Sequence, residues 1–192
     1  SGSLDDTVQV WNANNGNQVF TYTEHSNGVD AVAWSPDGQR IVSGSASLID
    51  TGSENLQVWN ASNGNQVFTD SGQTYAVAWS PDGQRIASTS NDGVQVWNAR
   101  NGSRIFTYRG HSDLVDAVVW SPDGKHIASG SRDDTVQVWN ANDGTHVFTY
   151  TGHSNVVNAV AWSPNGQRIA SGSQDNTCLL YTSPSPRDRQ KS

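Results

Sequence analysis

Apolar and β-branched residues arrive in short runs along the chain, and turn-forming residues separate every run. The stretch from Gly110 to Tyr150, GHSDLVDAVVWSPDGKHIASGSRDDTVQVWNANDGTHVFTY, shows the pattern most clearly. It contains four runs, Leu114–Trp120, His126–Ser131, Thr135–Asn140 and His146–Tyr150, whose length and composition each predict a β-strand. Ser121-Pro122-Asp123-Gly124 sets a tight turn after the first run, with proline fixing φ and glycine accepting a positive φ. Asp143-Gly144 sets a hairpin before the last. The unit therefore reads as a four-stranded antiparallel meander, and no segment carries helical periodicity.

The same punctuation recurs. Trp11, Trp59, Trp97 and Trp139 each sit in V-W-N-A, at steps of 48, 38 and 42 residues. Trp34, Trp79, Trp120 and Trp162 each precede Ser-Pro, at steps of 45, 41 and 42. A fixed period of this size means an array of one small unit, whose core lies between neighbouring copies. The first strand of each unit carries small residues, as in Ala31-Val32-Ala33, Ala76-Val77-Ala78 and Ala159-Val160-Ala161, which suit a strand covered on both faces. Phe20, Phe68, Phe106 and Phe148 fall in the last strand, where a wedge-shaped sheet is wider. All eight indoles are expected to be internal pegs between copies.

Charge narrows the choice of partner. The 192 residues include 11 Lys and Arg against 18 Asp and Glu, a net charge of -7, which argues against a general phosphate-binding surface and hence against nucleic acid. No apolar run approaches the length of a membrane span, and no secretory leader is seen. The single cysteine, Cys178, forms no disulfide framework, which points to a reducing compartment such as the cytoplasm. The sequence has no methionine, so Ser1 reads as an internal point of a longer chain.

From Gly110 to Trp139 the order G-H, V-x-x-V-x-W-S-P-D-G, I-A-S-G-S-x-D and T-V-x-V-W resembles the WD-repeat β-propeller family, and the resemblance extends from Ser1 to about Thr177. One departure is uniform: Asn12, Asn60, Asn98 and Asn140 stand where the family's dipeptide has aspartate. The resemblance implies an all-β fold of about four four-stranded antiparallel blades in an incomplete ring. It divides the chain into 1–22 as the outer half of a blade, 23–70 as a blade with an insertion near 46–54, 71–109 as a blade lacking its histidine, 110–150 as a complete blade and 151–177 as a partial one. Open ends of such an arc invite association.

The family's buried structural tetrad of His, Ser or Thr, Asp and Trp maps onto His111, Ser129, Asp133 and Trp139. The last unit offers His153, Ser171 and Asp175, with Tyr181 where tryptophan belongs. An earlier unit offers His25, Ser43 and Trp59, its aspartate obscured by the extra residues of Ala46–Glu54. The middle unit offers Ser88, Asp92 and Trp97. Repetition of the trio Ser, His and Asp beside the same tryptophan argues for structure rather than a hydrolytic triad, which needs one exposed nucleophile and an oxyanion hole. The five histidines show no ligand spacing, Asp5-Asp6 and Asp133-Asp134 match no calcium loop, and no metal or cofactor is expected. The sequons at Asn60 and Asn101 read as accidents of an Asn- and Ser-rich chain.

After Thr177 the repeat calls for V-Q-V-W-N-A, but the chain gives Cys178-Leu179-Leu180-Tyr181 and then a proline- and arginine-containing tail. Residues 178–192 resemble a translated sequencing adapter and are expected to be non-native, although Cys178–Tyr181 is apolar enough to add a strand in register.

The expected function is a non-catalytic protein–protein interaction scaffold, the docking or sensor arm of a larger bacterial signalling protein. The alternatives are a glycan-binding module with exposed aromatic pockets and, third, a Ser/His/Asp hydrolase. Positions that differ between near-copies are the partner-binding candidates for a polar or basic protein or peptide: Asn27, Asp30, Asp113, Asp116, Asn155 and Asn158, with Arg132 and Gln174 just before the tetrad aspartates.

Overall fold

The computed structural model describes residues 1–46 and 55–182. The insertion near 46–54 and the tail beyond 182 therefore fall almost wholly outside the described residues. Seventeen strands form five antiparallel sheets, with no helix among the described residues. β1 (Val8–Trp11) and β2 (Gln18–Tyr22) make a two-stranded sheet. Three complete four-stranded sheets follow: β3 (Ala31–Trp34), β4 (Arg40–Gly44), β5 (Leu56–Asn60) and β6 (Gln66–Asp70); β7 (Val77–Trp79), β8 (Arg85–Ser90), β9 (Gly93–Asn98) and β10 (Arg104–Tyr108); and β11 (Val115–Trp120), β12 (His126–Ser131), β13 (Val136–Asn140) and β14 (His146–Tyr150). The last sheet has three strands, β15 (Val157–Trp162), β16 (Arg168–Ser173) and β17 (Cys178–Thr182). The array is open, and Cys178–Thr182 holds the third-strand position in register, with Tyr181 opposite Ile169 as Trp139 is opposite Ile127.

Local chemistry explains the turns. In Ser121-Pro122-Asp123-Gly124 the Ser121 hydroxyl donates to Asp123 Oδ1 at 2.6 Å and accepts the His126 N–H at 2.9 Å. Gly124 takes φ +68°, as the motif requires. The Ser35 and Ser80 motifs repeat the hydroxyl–carboxylate bond.

The core lies between sheets. Ala87, Val94, Val96 and Tyr108 of one sheet pack with Trp120, Ile127 and Trp139 of the next. Three contacts recur at the inter-sheet seams, and the seam between the second and third complete sheets carries all of them. Trp79 Nε1 donates to the Ala33 carbonyl and Trp120 Nε1 to the Ala78 carbonyl, both at 3.2 Å. Arg40 lies 4.9 Å over the Trp79 ring and Arg85 4.8 Å over that of Trp120. Tyr22 stacks on Trp59 with centroids 4.2 Å apart, and Tyr108 on Trp139 at 4.8 Å.

Two indoles depart from the expected internal placement. Trp11 is 49% and Trp34 50% exposed, whereas Trp59 and Trp139 are fully buried. Tryptophans of each sheet face the sheet before it in sequence, so those at the N-terminal face of the stack meet solvent. At the opposite face Ala159 and Ala161 are exposed for the converse reason, so the first strand is covered on both faces only inside the stack.

Candidate functional site

The second strand of each of the last four sheets carries a serine that faces the seam, and in three of them the loop entering the first strand swings a histidine over it. In the third complete sheet His111 Nδ1 lies 2.9 Å from Asp133 Oδ2 and Nε2 lies 2.8 Å from Ser129 Oγ, which Trp139 Nε1 approaches at 3.3 Å. One tautomer satisfies the chain: Nδ1–H donates to the carboxylate, Nε2 accepts the serine proton, and the serine oxygen accepts the indole N–H. Asp133 also accepts from Thr135 Oγ1 at 2.6 Å and from the Ser112 N–H at 3.0 Å. Burial works against its ionised form, but the bonds from Thr135 and His111 prevail and hold its pKa below the usual carboxylate range. Burial lowers that of His111, overcoming the opposing pull of Asp133.

The other units reproduce parts of this set. His153 spans Asp175 at 2.8 Å and Ser171 at 2.7 Å, but Tyr181 replaces the indole and its hydroxyl is buried without a partner. A bond from Thr177, against burial and aided by His153, holds Asp175 far below the usual range. His25 lies 2.7 Å from Ser43, which accepts Trp59 Nε1 at 3.1 Å. Burial depresses His25 to about 4. In the sheet without a histidine, Trp97 Nε1 donates to Ser88 at 2.8 Å. Asp92 does not join that pair. It is exposed, and only its backbone N–H bonds Ser90 Oγ, at 3.2 Å. The loop there is one residue shorter than in the complete unit and supplies neither the threonine nor the ring that hold Asp133.

Two recurrent members of the seam escape a reading of the sequence. Tyr22 Oη donates to Gln57 Oε1 at 2.6 Å and Tyr108 Oη to Gln137 Oε1 at 2.7 Å, so each stacked tyrosine is anchored in the next sheet. The repetition of Gln9, Gln95 and Gln137 in V-Q-V-W, with Gln57 in L-Q-V-W, was the available signal.

Chemically, these sets are closed. Ser43, Ser88, Ser129 and Ser171 are all buried, with their hydroxyls engaged, so none is a nucleophile a substrate can reach. No cluster suited to a metal ion exists among the described residues.

The groups open to solvent lie at the sheet end where the first strand begins and the second finishes. Asp116 binds exposed Arg132 Nε through both oxygens, at 3.0 and 3.3 Å. Asp30 accepts the Ala46 N–H at 2.8 Å, Asp113 the Leu114 N–H at 2.7 Å and Asn155 the Val156 N–H at 2.8 Å. Asn158 and Gln174 are exposed on the last sheet, the Gln174 N–H donating to the Val156 carbonyl at 2.9 Å. Asn27, half-buried, donates to Ser26 Oγ at 3.3 Å. Tyr75, not singled out from sequence, donates to Asn91 Oδ1 at 2.9 Å and feels Arg132, Asp116 and Asp30 electrostatically. Burial raises its pKa. Beside it a cleft of about 460 Å³ runs between Asn91-Asp92-Gly93 and Arg109 to Leu114.

Comparison with known proteins agrees with this architecture. A family model described as "WD domain, G-beta repeat" matches residues 16–60, 64–98, 102–140 and 144–182. Each matched segment begins at the turn glycine just before the last strand of one sheet and ends on the third strand of the next, so every repeat ties two neighbours together. A 45-residue stretch, 23% of the chain, is 51% identical to a segment of WD repeat-containing protein 25 from Mus musculus, and that match spans 8% of the mouse protein.

Proposed function

Given that this chain belongs to the WD-repeat family, we propose that it is a non-catalytic scaffold whose loop face docks a protein or peptide partner. The observation that carries the reading is a division of roles among near-identical units. The tetrad serines and the apolar strand cores common to the units lie buried in the seams, and the shared Ser-Pro-Asp-Gly residues form turns. Those that differ, led by exposed Asp30, Asp113 and Arg132 with half-buried Asp116, lie at the rim where the first strand begins. Three carboxylates against one guanidinium there suit a peptide with basic side chains, and the neighbouring amides suit its backbone. The tetrad residues act on function only by holding that rim in place. In the fuller form of the proposal the array is a cytoplasmic docking or sensor arm of a larger bacterial signalling protein, and neither nucleic acid nor membrane is its partner. No helix among the described residues is long and apolar enough to cross a membrane.

A glycan-binding role would call for indoles open between the sheets, whereas Trp59, Trp79, Trp97, Trp120 and Trp139 are buried there. Selection from a displayed random-peptide library tests the docking role. It should enrich lysine- or arginine-containing peptides whose binding weakens with salt and falls at least several-fold in Asp113→Asn and Asp116→Asn. Enriched peptides that lack basic residues, or that bind both variants unchanged, would sink the proposal.

A further inference from the structure

Asparagine followed by glycine is chemically the least durable amide in a chain, because glycine has no side chain to obstruct its own nitrogen as that nitrogen closes on the asparagine carbonyl. Five such pairs occur, beginning at Asn15, Asn27, Asn63, Asn101 and Asn165. Four of them sit in tight turns that hold both reacting groups elsewhere. The glycine N–H donates backwards to a carbonyl in each: Gly16 to Asn12 at 2.8 Å, Gly64 to Asn60 at 2.9 Å, Gly102 to Asn98 at 2.9 Å and Gly166 to Ser163 at 2.8 Å. The side-chain oxygen faces forwards and accepts the second N–H along: Asn15 from Asn17 at 2.9 Å, Asn63 from Asn65 at 2.9 Å, Asn101 from Ser103 at 3.0 Å and Asn165 from Gln167 at 3.1 Å.

Asn27-Gly28 is placed differently. It lies in the loop between His25 and β3, half-buried next to exposed Ser26. Among the described residues the Gly28 N–H donates to no carbonyl. The other histidine-bearing units show how this loop holds the position. In register, His25-Ser26-Asn27-Gly28 corresponds to His111-Ser112-Asp113-Leu114 and to His153-Ser154-Asn155-Val156. Asp113 Oδ1 lies 2.7 Å from Leu114 N, and Asn155 Oδ1 lies 2.8 Å from Val156 N. The loop thus folds the side-chain carbonyl back onto the following backbone nitrogen, which are the two groups that must join, and rotation about Cβ–Cγ presents the carbon in place of the oxygen. Leu114 and Val156 obstruct that closure with bulky side chains, whereas Gly28 does not.

We infer that Asn27 is a site of spontaneous deamidation. The Gly28 nitrogen attacks Asn27 Cγ, the new C–N bond forms, the Cγ–Nδ2 bond breaks, and Nδ2 leaves as ammonia with the proton that Gly28 gives up. Water from the solvent then opens the cyclic imide at either carbonyl, leaving aspartate or isoaspartate. Both products place a new carboxylate on the approach to Asp30, so the rim gains negative charge as the protein ages. Isoaspartate also lengthens the backbone by one carbon where it is tightly packed: a Cβ on Gly28 would lie 3.0 Å from Leu4 Cδ2 and 3.2 Å from Leu4 Cα.

Peptide mapping by mass spectrometry, on the full chain held at mildly alkaline pH, follows all five asparagines in one sample. In the folded protein Asn27 should convert at least tenfold faster than each of the four turn asparagines, and Asn27→Gln should remove the fast conversion without changing the other four rates. In guanidinium, where neither the turns nor the loop persist, the five rates should draw together. An Asn27 that converts no faster than the turn asparagines in the folded chain overturns the proposal. So does a lead that persists undiminished in guanidinium, which would place the reactivity in the local sequence rather than in the loop.

Discussion

Trp139→Ala removes the peg at the centre of the stack. The indole is fully buried, stacks on Tyr108 at 4.8 Å and meets Phe106 edge-on at 5.9 Å. Truncating a core tryptophan costs ~3–5 kcal/mol. A stacked aromatic pair adds ~0.5–1.5 kcal/mol beyond area, part of which is already inside that range. Ser129 keeps His111 as a partner, so no orphaned hydroxyl adds to the loss. The loss is therefore about 4 kcal/mol, against a total stability of ~5–15 kcal/mol for a domain. Trp34→Ala serves as the internal comparison, because that ring is already half in water and its truncation should cost about 1 kcal/mol. Stability in an array is summed locally, so Trp139→Ala should open its own sheet first. Urea unfolding followed by circular dichroism gives the magnitude, and limited proteolysis with mass mapping gives the place. Equal urea midpoints for the two variants, or a digestion pattern unchanged by Trp139→Ala, would refute the reasoning.

Acid should weaken the fold in two windows. His25 binds its proton less readily folded, at about 4, than unfolded, near 6.5, so its contribution is full above 6.5 and drains away as pH falls towards 4. The slope is at most about 1.4 kcal/mol per pH unit and should vanish in His25→Gln, as read by urea midpoints against pH. Asp133 is held below its unfolded value, so its contribution is lost only below about pH 4 and should disappear in Asp133→Asn. Arg85→Ala removes both a ring contact and the Ala141 bond and should cost about 1–2 kcal/mol in thermal or urea unfolding. Gly102→Ala and Gly16→Ala share a left-handed φ worth ~1–2 kcal/mol, yet only the first meets a ring, 2.5 Å from Phe68, so it should be the more destabilising by calorimetry.

Strands were legible because each run is bounded by residues that bond locally. β13 begins at Val136 rather than Thr135 because the Thr135 hydroxyl and N–H are spent on Asp133. β11 begins at Val115 because the Leu114 carbonyl turns to Arg132 and Ser131. The histidine and serine positions could be read because each complete copy keeps the same loop length between them. Where the length changed, at Asp92, spacing misled. The Tyr–Gln links were illegible within one unit, since each joins two sheets and F-T-Y reads as an ordinary strand. The exposure of Trp11 and Trp34 was hidden for a related reason: periodicity equates all copies, whereas burial depends on which neighbour stands in front.

Residue-resolved oxidative labelling of the tryptophans, at a concentration low enough to keep the chain monomeric, tests the central claim that sheets are pegged together by buried indoles. Trp11 and Trp34 should react quickly, while Trp59, Trp79, Trp97, Trp120 and Trp139 should stay protected until the fold opens. Comparable reactivity at Trp139 and Trp34 in the folded chain would contradict it.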